Sequence, residues 1–482
     1  MDTTPQGSAT SSTQSPRGFV AVHVGAGHHA AVNKTRYLDA CKRACIAGIE
    51  LLRQSPKPTS TTTGGVSAAE VVECMIRILE DDPVTNAGTG SNLNLDGQVE
   101  CDASIMDGTS LGFGSVGAVS DFKNPISVAA KILQESDQGP LSLGRIPPIM
   151  LVGPGVAQWV DTMVDCTSLP IQSGLERVAR QPSTDALTKA RERMLGRDIG
   201  SGDKVEAREE DRSSIGGSLV TMEALHRYVR FQTMLKKAAT TDTTISLPSL
   251  ATLDNQPETM DIDISRKRSR TETSAESTTG PNSQRRQHVQ EEILEMDDED
   301  RLQDTVGAIC IDAQGRVAAG VSSGGIAMKF PGRVSEAALF GAGCWAQDAT
   351  EDVDGFACSL TGAGEQITKT LLARTCMETC LSLDDLSDAA NQVLDRFMTN
   401  PLLRGFKEKH AGWIGVRVDR EALEIGNGGG GGGGARAEMV FAHTTQTMGV
   451  GYMSVRDSKP TAIMSKKNPG SSKVISTRMV KL

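Results

Sequence analysis

Apolar residues recur along this chain with two periods. Alternation, or a short unbroken apolar run, predicts strands over 19–24, 92–106, 114–119, 305–311, 316–322, 412–418 and 438–444. Helical spacing predicts helices over 37–54, where Leu38, Cys41, Cys45, Ile49 and Leu52 share a face, and behind Ser67, where Val71, Val72, Met75, Ile76 and Leu79 do. Further helical patterns cover 126–133, 219–234, 336–342, 367–380 and 383–397. Punctuation agrees with this pattern. Ser67 followed by Glu70 is a capping box, and Asp81-Asp82-Pro83 stops the helix that it opens. Asp96-Gly97 and the stretch 312–315 are hairpin turns, 59–65 and 86–90 are loops, and the seven glycines at 428–434 are a flexible tip.

The pattern lapses between about 183 and 303. Charge and Ser/Thr dominate there, with a helical patch at 219–234, a basic run at 266–270 and an acidic run at 291–300. Residues 240–300 cannot bury enough apolar surface to offset their ordering entropy, so this insertion is expected to be disordered. The expected organisation is a disordered start over 1–17, an ordered part over 18–182, a linker over 183–304 and a second ordered part over 305–482. Strands and helices come in blocks on both sides of the linker. That points to an α+β fold of sheets sandwiched by helices, with neighbouring strands drawn from both halves.

Composition narrows the function classes. The chain has 482 residues, 50 glycines and 3% aromatics, so the core is aliphatic and rich in tight turns. A net charge of −10 argues against a nucleic-acid partner that covers the surface. No apolar run reaches the roughly 18 residues of a membrane span, and no apolar run follows a basic start, so neither a membrane partner nor a secretory leader is expected. The ten cysteines are scattered. Cys41/Cys45 and Cys376/Cys380 fall on helix faces as buried free thiols, in keeping with a reduced, intracellular protein. No CxxC pair or His/Cys cluster speaks for a metal, and neither GxGxxG nor a P-loop for a nucleotide, so no cofactor is expected. No histidine is spaced with Ser and Asp as in a triad, and His23 reads as a buried structural imidazole.

The candidate chemistry lies at Gln303-Asp304-Thr305-Val306-Gly307-Ala308. A threonine there heads an apolar strand directly after the polar linker, and the small residues behind it leave room near its hydroxyl. A threonine at a new N-terminus carries its α-amine beside its hydroxyl, and the amine serves as general base. The chain is therefore read as a precursor that cuts itself between Asp304 and Thr305. The Thr305 hydroxyl attacks the Asp304 carbonyl, assisted by strain and the Asp304 carboxylate, and water hydrolyses the resulting ester.

Several motifs together carry a resemblance. They are Val22-His23-Val24-Gly25-Ala26-Gly27, the run from Thr85-Asn86-Ala87-Gly88 to Leu95, Glu100-Cys101-Asp102-Ala103-Ser104 through Gly108, and the strand from Asp304-Thr305. Ser322-Ser323-Gly324-Gly325, Pro331-Gly332-Arg333-Val334 and Thr361-Gly362-Ala363-Gly364-Glu365 follow downstream. In this combination the chain resembles the plant-type asparaginase family of N-terminal nucleophile hydrolases, and within it the threonine aspartase branch. The resemblance covers about 18–165 and 305–455. It implies a four-layer αββα sandwich with Thr305 as nucleophile. It further implies that Ser323 replaces a usual second threonine and orients the nucleophile, that Thr361 and Gly362 form the oxyanion pair with Asn86 as a further amide donor, and that Arg333 grips a substrate carboxylate with Glu336 and Gly364 beside it.

One departure bears on the substrate. Asparaginases follow Arg-Val with Gly-Asp, whose aspartate holds the free α-amine of a small substrate; here Ser335-Glu336 stands instead. The expectation is an autoproteolytic threonine endopeptidase that cleaves proteins after aspartate. An isoaspartyl peptidase or L-asparaginase of the same fold is the alternative, and an inactive nuclear scaffold a further one. Residues 266–270 with Arg285-Arg286 suit a bipartite nuclear import signal, so nuclear regulatory proteins are the expected substrates. The resemblance further implies an αβ heterodimer after processing, pairing to a heterotetramer.

Overall fold

The computed structural model describes residues 17–54, 65–166, 175–178, 214–215, 218–241, 305–420 and 436–482. The basic and acidic runs, the seven-glycine stretch, most of the 59–65 loop, Asp304 and the first 16 residues lie outside the described residues.

Strand β1 (Phe19–Gly27) sets the layering. Its side chains alternate between two apolar clusters: Val20, Val22 and Val24 face one, Phe19 and Ala21 the other. The first cluster is closed by α1 (Lys34–Gln54), α2 (Ala68–Glu80) and α3 (Pro125–Asp137). The expected capping box at Ser67 and Glu70 is formed, and Asp81 ends α2. Among the described residues this sheet has eight strands. Besides β1 it holds β2 (Cys101–Asp107), β3 (Phe113–Val119), β4 (Met150–Val152), β5 (Val306–Ile311), β6 (Val317–Ser323), β11 (Thr447–Ser454) and β12 (Thr461–Lys466). Their spatial order is β12-β11-β1-β5-β6-β2-β3-β4.

A second sheet runs β13 (Val474–Lys481), β10 (Arg436–His443), β9 (Ala411–Val418), β8 (Gly355–Gly362) and β7 (Cys344–Gln347). Its strands alternate in the same way. Met439 and Phe441 of β10 face the first sheet, whereas Val440 and Ala442 face away. The outward side is covered by α6 (Gly364–Thr370), α7 (Leu372–Ser382) and α8 (Leu386–Thr399). The layers are thus helix, sheet, sheet, helix: the expected αββα sandwich. Two further helices, α4 (Pro154–Cys166) and α5 (Met222–Thr241), lie between these elements in the sequence, and Leu225 and Tyr228 of α5 join the first cluster.

Three local expectations change. The hairpin over 92–106 is reduced to one bridge between Leu93 and Val99. The Asn94 side chain accepts from the N–H groups of Asp96 and Gln98, and Leu95 N–H turns outward to the Lys329 carbonyl, so no ladder extends. The helix expected over 336–342 is a single 3-10 turn, Glu336–Ala338, since Gly341 takes a positive φ of 75°. The helix expected over 367–380 breaks at Leu371, whose φ of 45° ends α6 and starts α7.

Helix α3 lies directly on β3 at Gly114. A Cβ there would stand 2.1 Å from the Ala129 carbonyl oxygen and 2.5 Å from the Leu133 nitrogen, both backbone atoms of the helix. Gly114→Ala is therefore expected to lift α3 and destabilise the chain by about 1–3 kcal/mol, read as a lower midpoint of urea unfolding.

Candidate active site

The turn between β5 and β6 brings Thr305 to Ser323. Asp312 accepts from the N–H groups of Gln314 and Arg316, Gly315 takes φ +83°, and the antiparallel register pairs Val306 with Ser322. One residue further along each strand, Thr305 Oγ1 donates to Ser323 Oγ at 3.1 Å. Thr305 is 4% exposed and lies in the middle of the larger sheet, between β1 and β6. A small cavity opens over it, lined by Asn86, Thr305, Ser323, Gly325, Arg333, Glu336, Gly362 and Gly364 among others.

The loop after β6 is built around that cavity. Ser323 Oγ also accepts from Gly325 N–H at 3.0 Å. Asn86 and Asn92 both donate their side-chain amides to the Gly325 carbonyl, at 2.8 and 2.9 Å, and the Asn86 carbonyl accepts from Gly324 N–H. Asn86 thus spends one amide hydrogen on the loop and has one left for the cavity. Gly325 adopts φ +69°, and a Cβ there would stand 3.1 Å from both Lys329 Nζ and Arg333 Nη1. Lys329 is buried and donates to the Glu100 carbonyl at 2.6 Å, while Asp102 accepts from Ser335 N–H at 2.8 Å. The start of β2 therefore fixes the segment that carries Arg333 and Glu336.

Arg333 donates from Nε and Nη2 to Glu365 Oε1, at 2.9 and 2.7 Å. Glu365 is half exposed, so water competes for its side of this pair. Gly364 fits because a Cβ would stand 2.4 Å from Glu336 Oε2 and 2.8 Å from Arg333 Nη2. Thr361 is the expected site residue that does not line the cavity. Its buried hydroxyl accepts from Ala26 N–H at 3.1 Å, which ties β8 to the glycine turn of β1 and leaves its own proton to donate elsewhere. Its neighbour Gly362 does line the cavity.

Two residues behind Thr305 make buried contacts that the spacing of residues did not reveal. His23 Nδ1 donates to the Thr305 carbonyl at 3.0 Å, and Ser359 Oγ stands 2.9 Å from both His23 Nε2 and the Gly320 carbonyl. Burial drives His23 down to about 3, so the ring is neutral with its proton on Nδ1. Gly307 makes room for this pair: a Cβ there would stand 1.9 Å from Ser359 Oγ and 2.4 Å from His23 Nε2. The space left by the small residue after Thr305 is thus filled by a polar bridge under the backbone. Glu80 is the second. It is fully buried, and its Oε1 accepts from Ser322 Oγ at 2.6 Å and from Ile126 N–H at 3.0 Å. Burial pushes it up to about 8. His23 and Asp102 lie inside the quoted motifs, which is the signal that could have found them; nothing in the sequence pointed to Glu80.

Because Glu80 binds its proton more tightly folded than unfolded, its contribution is fully present below about pH 4.5 and is lost as pH rises through about 8. Over that window the stability difference between the wild type and Glu80→Gln is expected to shift against the wild type as pH rises, measured by urea unfolding at several pH values. Gly307→Ala is expected to cost more than about 2 kcal/mol by displacing the His23–Ser359 bridge, seen as a lowered unfolding midpoint.

The sequence model of the asparaginase family matches residues 17–159 and 241–419. The plant-type L-asparaginase of Pyrococcus abyssi is 26% identical over 357 residues, covering 74% of this chain and 77% of that protein. The isoaspartyl peptidase of Escherichia coli is 24% identical over 362 residues, covering 74% and 75%. The human isoaspartyl peptidase/L-asparaginase is 38% identical over 146 residues, covering 30% and 41%. With two thirds of its length matched, a sheet sandwich and a threonine at the head of a central strand, this chain belongs to the asparaginase family of N-terminal nucleophile hydrolases.

Proposed function

We propose that this protein is a self-cleaving threonine endopeptidase, a threonine aspartase, that cuts between Asp304 and Thr305 and then cleaves protein substrates after aspartate. The observation that carries the nucleophile is the Thr305 hydroxyl held at 3.1 Å from Ser323 on the wall of a cavity that also holds a guanidinium. In the cut form the α-amine of Thr305 takes the proton of its own hydroxyl. Gly362 N–H and the remaining Asn86 amide hydrogen are the candidate donors to the tetrahedral oxygen, with Thr361, which does not line the cavity, holding the strand that carries Gly362. Losing one such donor costs roughly 3 kcal/mol of barrier. Arg333 releases Glu365 and takes the aspartate side chain of the substrate in its place.

Two features support a polypeptide substrate. The first bond this site must break is itself a peptide bond after an aspartate. The carboxyl at the position that grips a free amine in small substrates belongs to Glu336, which is buried and pushed up to about 7, so it is partly neutral near pH 7 and a poor partner for an ammonium. The second reading, an isoaspartyl peptidase or L-asparaginase, is supported by the names of the relatives and by the retained arginine.

Thr305→Ala is expected to run as one full-length band on a denaturing gel, where the wild-type chain yields a 305–482 fragment. The processed protein, offered a peptide library alongside L-asparagine and β-aspartyl dipeptides, is expected to cut after aspartate; release of ammonia or of free aspartate alone would favour the second reading. Arg333→Ala is expected to lower kcat/KM on aspartyl substrates by roughly 30- to 150-fold, the worth of about 2–3 kcal/mol for a charge-assisted pair.

A further inference from the structure

Self-cleavage poses a problem that catalysis afterwards does not. Until the bond before Thr305 is broken, the Thr305 nitrogen is an amide, and an amide cannot act as a base. Some other group must take the hydroxyl proton in the first turnover. The surroundings of Thr305 Oγ1 offer few. Ser323 Oγ, at 3.1 Å, is an alcohol. His23 reaches the Thr305 carbonyl rather than the hydroxyl. Among the described residues the remaining contact is Glu336 Oε1, at 3.4 Å from Thr305 Oγ1.

We infer that Glu336 is the general base of the self-cleavage step. This rests on the self-cleavage reading above and adds a residue to it. Glu336 Oε1 accepts the proton as Thr305 Oγ bonds to the Asp304 carbonyl carbon. The carboxyl then returns that proton to the Thr305 nitrogen as the carbon–nitrogen bond breaks, leaving an ester between the Asp304 carbonyl and Thr305 Oγ. Water hydrolyses the ester, giving the Asp304 carboxylate and a free Thr305 ammonium. The net change is one peptide bond and one water consumed, and Glu336 ends as it began. A contact of 3.4 Å is long for proton transfer, but such contacts shorten as the reacting atoms close.

The fold builds this contact deliberately. Glu336 is 2% exposed and opens the 3-10 turn that replaces the helix expected from its sequence. Asp102 fixes the preceding backbone through Ser335 N–H. Gly364 keeps clear the volume beside Oε2. The charged groups that face the carboxyl are Arg333, which favours its ionised form, and Asp102 and Glu365, which oppose it; burial outweighs them all. The result, about 7, suits a base that must both take and return a proton near neutrality.

The test follows the appearance of the 305–482 fragment from full-length precursor over time and across pH. Glu336→Gln is expected to slow it by about 100-fold or more and to remove the fall in rate below about pH 7. Glu336→Ala is expected to be as slow, and to recover in several hundred millimolar formate, which fits the space the side chain leaves. Thermal melting of these variants beside the Thr305→Ala precursor checks that they fold. Processing of Glu336→Gln at the wild-type rate overturns the assignment. So does a folded Glu336→Ala that formate does not rescue, since that marks a structural part, and so does abolition by Asp304→Asn with Glu336→Gln unaffected. Scission in Thr305→Ala would instead defeat self-cleavage itself.

Discussion

The hydrogen bond between Thr305 and Ser323 depends on strand register alone. β5 and β6 are joined by a short turn and run antiparallel, so the first residue before one and the last of the other must meet. That meeting point lies in the middle of an eight-stranded sheet, with a strand on either side and a second sheet stacked beneath. Thr305 there is 4% exposed, and its hydroxyl lies under the small cavity above. Everything else in the site is arranged around this fixed point: the Gly325 loop through Ser323, the Arg333 segment through Asp102 and Glu100, and the underside through His23.

Polar groups buried this deeply are costly unless each finds a partner, and the partners explain much of the local sequence. Gly307, Gly325 and Gly364 each leave out a side chain where a polar side chain stands instead. Thr361 uses its oxygen to hold the β1 turn, so it ties two layers together at the edge of the cavity rather than on its surface. The neutral His23 and the raised Glu80 follow the same logic, because both sit where ionisation would leave a charge without solvent.

Strands such as β1, β3 and β5 were legible from their apolar runs because they are buried along their length, whereas β4 and β12, whose side chains are partly exposed, were not. The hairpin carrying Thr305 was legible because Asp312 and Gly315 are local turn chemistry. Arg333 and Glu336 could be brought near Thr305 only by resemblance, since the contacts that fix them reach across to β2. Apolar spacing over 336–342 read as a helix, yet tertiary contacts at Ser335 and the bend at Gly341 hold it to one turn. Glu80 left no trace, for a glutamate at the end of an amphipathic helix reads as a solvated charge until Ser322 is seen beside it.

The strand order carries a consequence for a chain that has been cut. Strands from before residue 304 and from after it are interleaved, with β1 flanked by β11 and β5, and β2 paired to β6. Two pieces woven in this way stay clasped as one body after scission, and prising them apart means tearing three ladders at once. Should they ever come apart, however, each would have to find the other again by diffusion. A cut at that point would therefore make reassembly bimolecular, so that the lifetime of the fold would be set by how slowly it opens.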